Sequence, residues 1–227
     1  MGLALKLRDL RVEGRGGRLI LSAAALDIAP GEAVVIKGPS GAGKSTLLYA
    51  LAGLIRPASG QILWGDMDLA KQREAALAAF RRRSVGFIFQ DHLLFEELSS
   101  LGNAAVAAGF APRSERAGLI QGARSMLERL GLGDKTEQRS ATQSGGERQR
   151  VAVARALAGA PPVILADEPT ASLDRASADR LIEDLLRLAR EDGRTLIAVT
   201  HDTAFHARAA RVIEVVDGVL QPEGVHV

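Results

Sequence analysis

Residues 38–46 read Gly38-Pro39-Ser40-Gly41-Ala42-Gly43-Lys44-Ser45-Thr46, a match to G-x-x-x-x-G-K-[ST]. The apolar run Ala33–Lys37 stands just before it, and a Leu- and Ala-rich stretch from Lys44 to Leu54 follows. A strand, a glycine-rich turn and a helix in that order are the context this motif requires. The glycines let the backbone curl so that successive N–H groups converge on one anion, and the positive end of the helix adds to them. In this reading Gly38, Pro39, Ser40, Gly41, Ala42 and Gly43 cradle the phosphates of a nucleotide. Lys44 reaches the β- and γ-phosphates, Ser45 ligates Mg²⁺ and Thr46 bonds the α-phosphate.

Working outward, apolar β-branched runs recur at Val85–Phe89, Val163–Ala166, Thr195–Thr200 and Arg211–Val216. They are short and nearly uninterrupted by charge, as strands covered on both faces should be. Helical stretches alternate with them: Glu115–Leu130, Glu147–Ala158 and Ser177–Glu191. The last carries Leu181, Ile182, Leu185, Leu186 and Leu188 on one stripe. The alternation predicts an α/β fold, a P-loop core with a mainly parallel sheet. Leu3–Val12 and Leu19–Ile28 flank the turn Gly14-Arg15-Gly16-Gly17 and predict an N-terminal antiparallel β subdomain. Residues 91–158 are nearly strand-free and predict an inserted helical subdomain. No linker, repeat or low-complexity tract interrupts the chain, so residues 1–227 are expected to form one domain, its core from 1–90 and 159–227.

Composition narrows the class further. A chain of 227 residues with 47% hydrophobic and 25% charged residues has ample material for a core, which excludes disorder as the main reading. The absence of cysteine excludes a disulfide scaffold, thiolate metal sites and a cysteine nucleophile, and is compatible with a reducing compartment. The net charge of +2 is a weak argument for a nucleic-acid partner despite a pI of 9.3. Lys6, Arg8 and Asp9 interrupt the first ten residues, so no secretory leader is expected. The longest apolar runs fall far short of the roughly 18 residues a spanning helix needs. Work at a membrane would have to run through a partner.

Val163-Ile164-Leu165-Ala166-Asp167-Glu168 is an apolar strand ending in two carboxylates. Asp167 suits the acid that holds Mg²⁺ from the side opposite Ser45, directly or through water. Glu168, one residue on, points differently and suits a base that takes a proton from water attacking the γ-phosphate.

Ser144-Gly145-Gly146-Glu147-Arg148-Gln149-Arg150-Val151-Ala152-Val153-Ala154-Arg155-Ala156-Leu157 places a Ser-Gly-Gly turn at a helix start, a second set of hydroxyl, amides and helix dipole suited to an anion. Together with the phosphate loop and the acidic strand, this segment resembles the signature of the ATP-binding subunits of ABC transporters. The resemblance runs from about Leu3 to Leu220. It implies that ATP held by one copy's Lys44 loop is covered by Ser144, Gly145, Gly146 and Glu147 of a second copy, with Asp174 of Ala171-Ser172-Leu173-Asp174 crossing the interface. It also implies that Gln90 touches Mg²⁺ and the attacking water, and that His201 contacts the γ-phosphate. His92, His206 and His226 read as structural or solvated. His201 and His206 are misspaced for an H-E-x-x-H zinc site.

Two features depart from the family pattern. The first aromatic residue is Tyr49, so none precedes the phosphate loop to stack on adenine, which puts affinity and base selectivity in question. Gln143 stands where the signature usually has Leu, while Ser144, Gly145 and Gly146 are intact.

The stretch Phe87–Asn103 resembles the branch of lipoprotein-releasing, macrolide-export and cell-division ATPases. That branch implies an ATP-hydrolysing motor, dimeric around two ATP-Mg²⁺, that drives a separate integral membrane permease from the cytoplasmic face of the inner membrane. An alternative is an ABC-type ATPase that regulates a periplasmic or cell-division process through a membrane partner without transport. Leu93, Leu94 and Phe95 suit either a permease helix or packing of the helical subdomain. Arg81-Arg82-Arg83 reads as a helix end complementing the dipole rather than a nucleic-acid patch, since no aromatics interleave it.

Overall fold

In the computed structural model, which describes residues 2–221, the chain begins with β1 (Leu5–Glu13), β2 (Leu19–Ile28), β3 (Ala33–Lys37) and α1 (Lys44–Leu51). It continues through β4 (Ser59–Trp64), β5 (Met67–Asp68), α2 (Glu74–Ser84), β6 (Val85–Ile88), α3 (Ser100–Ala104), α4 (Arg113–Arg129) and α5 (Gly145–Leu157). The last elements are β7 (Val163–Asp167), α6 (Arg175–Arg190), β8 (Thr195–Val199), α7 (Thr203–Arg208), β9 (Arg211–Val216) and β10 (Val219–Leu220).

The strands join into one sheet in the order β5-β4-β1-β2-β10-β9-β3-β8-β7-β6. From β9 to β6 every pairing is parallel, and β3 is flanked by β8 and β9. Strands β3, β7 and β8 are buried nearly throughout, which is why their sequences are continuous apolar runs. The amino-terminal strands pair antiparallel, β1 with both β2 and β4. In β1, Leu5 and Leu7 are buried, then Leu10 and Val12, so the two-residue period slips by one between them. Asp9, at φ 48°, absorbs the slip, and the β1–β4 register shifts at the same place. A bulge there returns the next apolar pair to the core face.

Helix α1 stops short of the expected Leu54. Gly53 takes φ 64°, the Leu54 N–H donates to the Tyr49 carbonyl at 2.8 Å and the Gly53 N–H to the Ala50 carbonyl at 3.0 Å. That pair of bonds is a Schellman stop, which a glycine supplies without steric cost. Leu19–Ile28, Ala33–Lys37 and Arg211–Val216 have the expected bounds, and the other expected elements shift by one to two residues at their ends. Residues 59–84 carry no clear period in sequence, yet form β4, β5 and α2, with the Trp64 indole N–H donating to the Leu51 carbonyl at 2.9 Å. Arg81, Arg82 and Arg83 lie in the last turn of α2, and Arg82 pairs with Glu115 at 2.7 Å.

Apolar burial falls into three clusters. One lies between the antiparallel strands, α1 and one face of the parallel sheet. On the opposite face α6 contributes Leu181, Ile182, Leu185, Leu186 and Leu188, as its amphipathic pattern predicts, beside Phe205. Each such buried Leu or Ile contributes about 1.5–3 kcal/mol. The third cluster is small and local to residues 104–158. Helix α5 serves two of them: Val153 and Leu157 pack under the sheet, while Val151, Ala154 and Ala158 pack among the inserted helices.

Candidate active site

The phosphate loop leaves the end of β3 where the backbone must turn sharply. Gly38 has φ 147°, and a Cβ there would lie 2.1 Å from the Val215 carbonyl oxygen, so a side chain cannot be accommodated. The loop ends at Gly43, which caps α1 with no side-chain acceptor, leaving the first-turn N–H groups of α1 free of a side-chain cap. Beside this turn is a cavity of about 490 Å³ lined by Ser40, Gly41, Gly43, Lys44, Ser45, Thr46, Gln90, Asp167, Glu168 and His201, with Ile20, Ala171 and Val199. Residues separated by more than 150 positions thus meet at the carboxyl ends of the parallel strands.

Lys44 is buried, and its ammonium donates to the Gly38 and Pro39 carbonyls at 2.8 Å each. The same Nζ lies 3.4 Å from His201 Nε2. Asp167 closes β7 with 2% of its surface exposed. Burial pushes its carboxyl above the ordinary range, against the pull of the Ser45 hydroxyl and of Lys44. Its Oδ1 is buried with no hydrogen-bond partner. An orphaned carboxylate oxygen beside a serine hydroxyl fits a hard divalent cation completed by water and phosphate oxygens, so the residues present suit Mg²⁺ at Ser45 and Asp167, with Gln90 adjacent.

Glu168 adopts φ 47°, a left-handed conformation that costs a non-glycine residue about 1–2 kcal/mol. Its N–H donates to the Val199 carbonyl at 2.8 Å, tying the end of β7 to β8. The carboxylate receives the His201 backbone N–H at 3.3 Å on Oε2, and Oε1 lies 3.6 Å from His201 Nε2. Glu168, His201 and Lys44 therefore converge on one side of the cavity.

The remaining expected residues lie elsewhere. Ser144 caps α5, and its Oγ accepts from the Glu147 N–H at 3.3 Å while Glu147 accepts from the Ser144 N–H at 2.8 Å. The Glu147 carboxylate also pairs with Lys135 at 2.5 Å, and with Ser144 this holds its pKa at about 2. Gly145 and Gly146 lie against Ser172 and Leu173, so the turn packs on the loop leading to Asp174. Asp174 caps α6 by accepting from the Ser177 N–H at 3.0 Å. None of Ser144, Gly145, Gly146, Glu147 and Asp174 lines the Lys44 cavity. Gln143 is buried and donates to Ser100 Oγ at 2.6 Å, anchoring the turn to α3.

His206 Nε2 lies 2.9 Å from the Thr200 carbonyl oxygen and His92 is half-buried, both consistent with structural roles. His226 lies outside the described residues. Asp202 has no counterpart among the sequence-derived site residues. It caps α7 through the Ala204 N–H at 2.9 Å and receives Thr170 Oγ1 and Arg175, each at 3.2 Å, which connects the His201 turn to the loop before α6. Only an N-cap pattern ahead of α7 signals it. A second cavity of about 720 Å³ adjoins the loop at Ser40 and Gly41, lined by Arg15, Arg18, Leu19, Ile20 and Asp217 and by no aromatic residue.

A glycine-rich loop between a parallel strand and a helix, with acidic residues ending another strand of the same parallel sheet, defines a P-loop nucleoside-triphosphatase. The particular family follows from comparison with known proteins. The ABC transporter family model matches residues 21–171, and the chain belongs to that family and is an ATPase. It is 47% identical over 208 residues to the macrolide export ATP-binding/permease protein MacB 1/2 of Paracoccus denitrificans, covering 90% of this chain but 30% of that protein. It is 44% identical to the uncharacterized ABC transporter ATP-binding protein YbbA of Escherichia coli, covering 90% of this chain and 89% of the relative. It is 41% identical to the lipoprotein-releasing system ATP-binding protein LolD of Myxococcus xanthus, covering 88% of each. The dimeric bacterial ABC transporter cassette MJ0796 superimposes with a TM-score of 0.88 at 33% identity, covering 97% of both chains. The same cassette in a post-hydrolysis state with ADP and phosphate gives 0.85.

Proposed function

We propose that two copies of the chain close around two ATP molecules, each lying between the Lys44 loop of one copy and the Ser144 turn of the other, and that this closure drives an integral membrane permease. The observation that carries this reading is the separation of two anion-binding turns within one chain: Lys44 lines the cavity, and Ser144 does not. A second copy placed face to face supplies the missing turn, and the solved relative is a dimer. Glu168 takes a proton from the attacking water as phosphate separates from ADP, while Lys44 and His201 meet the charge developing on the γ-phosphate. Bound Mg²⁺ would supply charge neutralisation on the phosphates from Ser45, Asp167 and Gln90.

Among the described residues no helix is long and apolar enough to cross a membrane. The permease contact in this reading is the loop after Gln90. Leu93 is 56% and Phe95 55% exposed, while Leu94 packs onto the inserted helices. The names of the relatives, lipoprotein release and macrolide export, support a permease of that branch on the inner membrane, with this subunit at its cytoplasmic face. Purification of tagged Glu168→Gln from detergent-solubilised membranes with Mg-ATP tests this. Stoichiometric recovery of one integral membrane protein supports the motor reading, and recovery of soluble proteins alone refutes it.

A further inference from the structure

We infer that Arg155 is a positioning residue that couples the two nucleotide sites of the dimer, by fastening the loop after Gln90 to the helix that begins at Ser144. The inference rests on the face-to-face dimer proposed above.

Helix α5 carries Ser144 at its N-cap and Arg155 eleven residues later, about 16 Å along the axis. The Arg155 guanidinium donates from Nη1 to the Leu93 carbonyl at 2.5 Å and from Nη2 to the His92 carbonyl at 2.6 Å. Among the described residues Arg155 makes no ion pair, and burial pulls its pKa below the ordinary arginine value. Its charge is met by two backbone carbonyls. These belong to consecutive non-glycine residues in the left-handed region, His92 at φ 48° and Leu93 at φ 50°. Two adjacent residues in a conformation that side chains avoid persist only where the surroundings hold them, and the bidentate fork of an arginine suits that task.

A second tie lies two residues on. Asn103 of α3, fully buried, accepts from the Phe95 N–H at 2.8 Å and donates to the Phe95 carbonyl at 2.9 Å. Helix α3 packs in the same small cluster as α5. The loop is thus fixed to the inserted helices at 92–93 and again at 95, while Gln90, separated from the clamp only by Asp91, lines the cavity with Ser45 and Asp167. A shift of α5, when a nucleotide on the partner docks at the Ser144 turn, therefore displaces Gln90 in this chain's own site through a single intervening residue. A rigid helix with one end at the Ser144 turn and the other fastened to the loop that carries Gln90 is the physical connection that coupling requires.

The test is the ATP dependence of steady-state hydrolysis by the full-length chain, with equilibrium ADP binding and melting temperature measured alongside. With two coupled sites the Hill coefficient of the wild type approaches about 2. Arg155→Ala is expected to lower it to about 1 and to reduce maximal turnover about tenfold, with half-saturating ATP and ADP affinity within about threefold of wild type. Arg155→Lys keeps the charge but not the two-pronged fork, is expected to fold even if the alanine variant does not, and should give an intermediate Hill coefficient. A merely structural arginine would lower the melting temperature and leave the Hill coefficient of the folded fraction unchanged. Cooperative wild type with equally cooperative Arg155→Lys or Arg155→Ala overturns the clamp alone. A wild type that hydrolyses ATP with a Hill coefficient of 1 overturns the coupling and the clamp with it, whereas the dimer reading falls only if Glu168→Gln stays monomeric with Mg-ATP in sedimentation.

Discussion

His201 reaches Glu168 by two routes: its backbone N–H donates to Glu168 Oε2 at 3.3 Å, and its Nε2 stands 3.6 Å from Oε1. The Glu168 carboxylate is thereby oriented from the end of β8, the strand next to the one that carries it. Glu168→Gln preserves shape and the backbone bond but removes the proton acceptor. Hydrolysis should fall by about 10²–10⁴-fold while ATP binding persists. Sedimentation of this variant with Mg-ATP should show a dimer, and a variant that turns over at the wild-type rate would assign the base elsewhere.

Burial raises the Asp167 carboxyl above the ordinary range, so placing this acid at the end of β7 opposes stability near neutral pH. A carboxyl whose folded pKa is raised favours folding below its unfolded pKa and loses that contribution as pH rises through the folded value. Asp167→Asn should therefore raise the melting temperature of the nucleotide-free protein at pH 7, about 2–4 °C for each kcal/mol relieved. The same variant should lose the extra stabilisation that Mg²⁺ adds to ATP binding. Thermal melts with and without Mg-ATP read both effects.

The cavity beside Ser40 and Gly41 offers Ile20, Leu19 and two arginines to a base, with no aromatic face. Stacking on an aromatic ring contributes about 0.5–1.5 kcal/mol, so discrimination between bases should be weak. ATP and GTP are expected to bind within about fivefold of each other by calorimetry. Ile20→Ala should weaken both and leave tripolyphosphate binding unchanged. A preference for ATP above about 30-fold would contradict this.

The Ser144–Glu147 capping box gives the signature turn its own pH signature. Glu147 has a folded pKa of about 2 against an ordinary 4.5, so its contribution is complete above pH 4.5 and is lost as pH falls toward 2. Lys135 is 40% exposed, so solvent screens the ion pair and its contribution is far smaller than the depressed pKa alone would suggest. The melting temperature of Glu147→Gln should trail wild type by a constant gap from pH 7 to about 4.5, and the gap should close below that. An unchanging gap down to pH 3 would place the stabilisation in shape rather than charge.

The sequence by itself determined the phosphate loop, the acidic end of β7, the Ser-Gly-Gly turn and the alternation of strand and helix. These are local properties: nine consecutive residues make the cradle, and an apolar run or an amphipathic period needs no distant partner to be recognised. Strand β4 shows the opposite case. Ser59–Trp64 has no clean alternation and becomes a strand because β1, about fifty residues earlier, offers it a pairing edge. The bulge at Asp9 and the left-handed backbone of Glu168 are likewise consequences of neighbours, since each conformation costs energy that only surrounding contacts offset. Tertiary structure brings Lys44, Asp167, Glu168 and His201, distant in sequence, to one cavity and leaves Ser144 outside it. It alone placed Arg155 on the carbonyls of His92 and Leu93, 63 and 62 residues away in sequence. A guanidinium finds such acceptors through folding, and nothing in the spacing of the chain announces them.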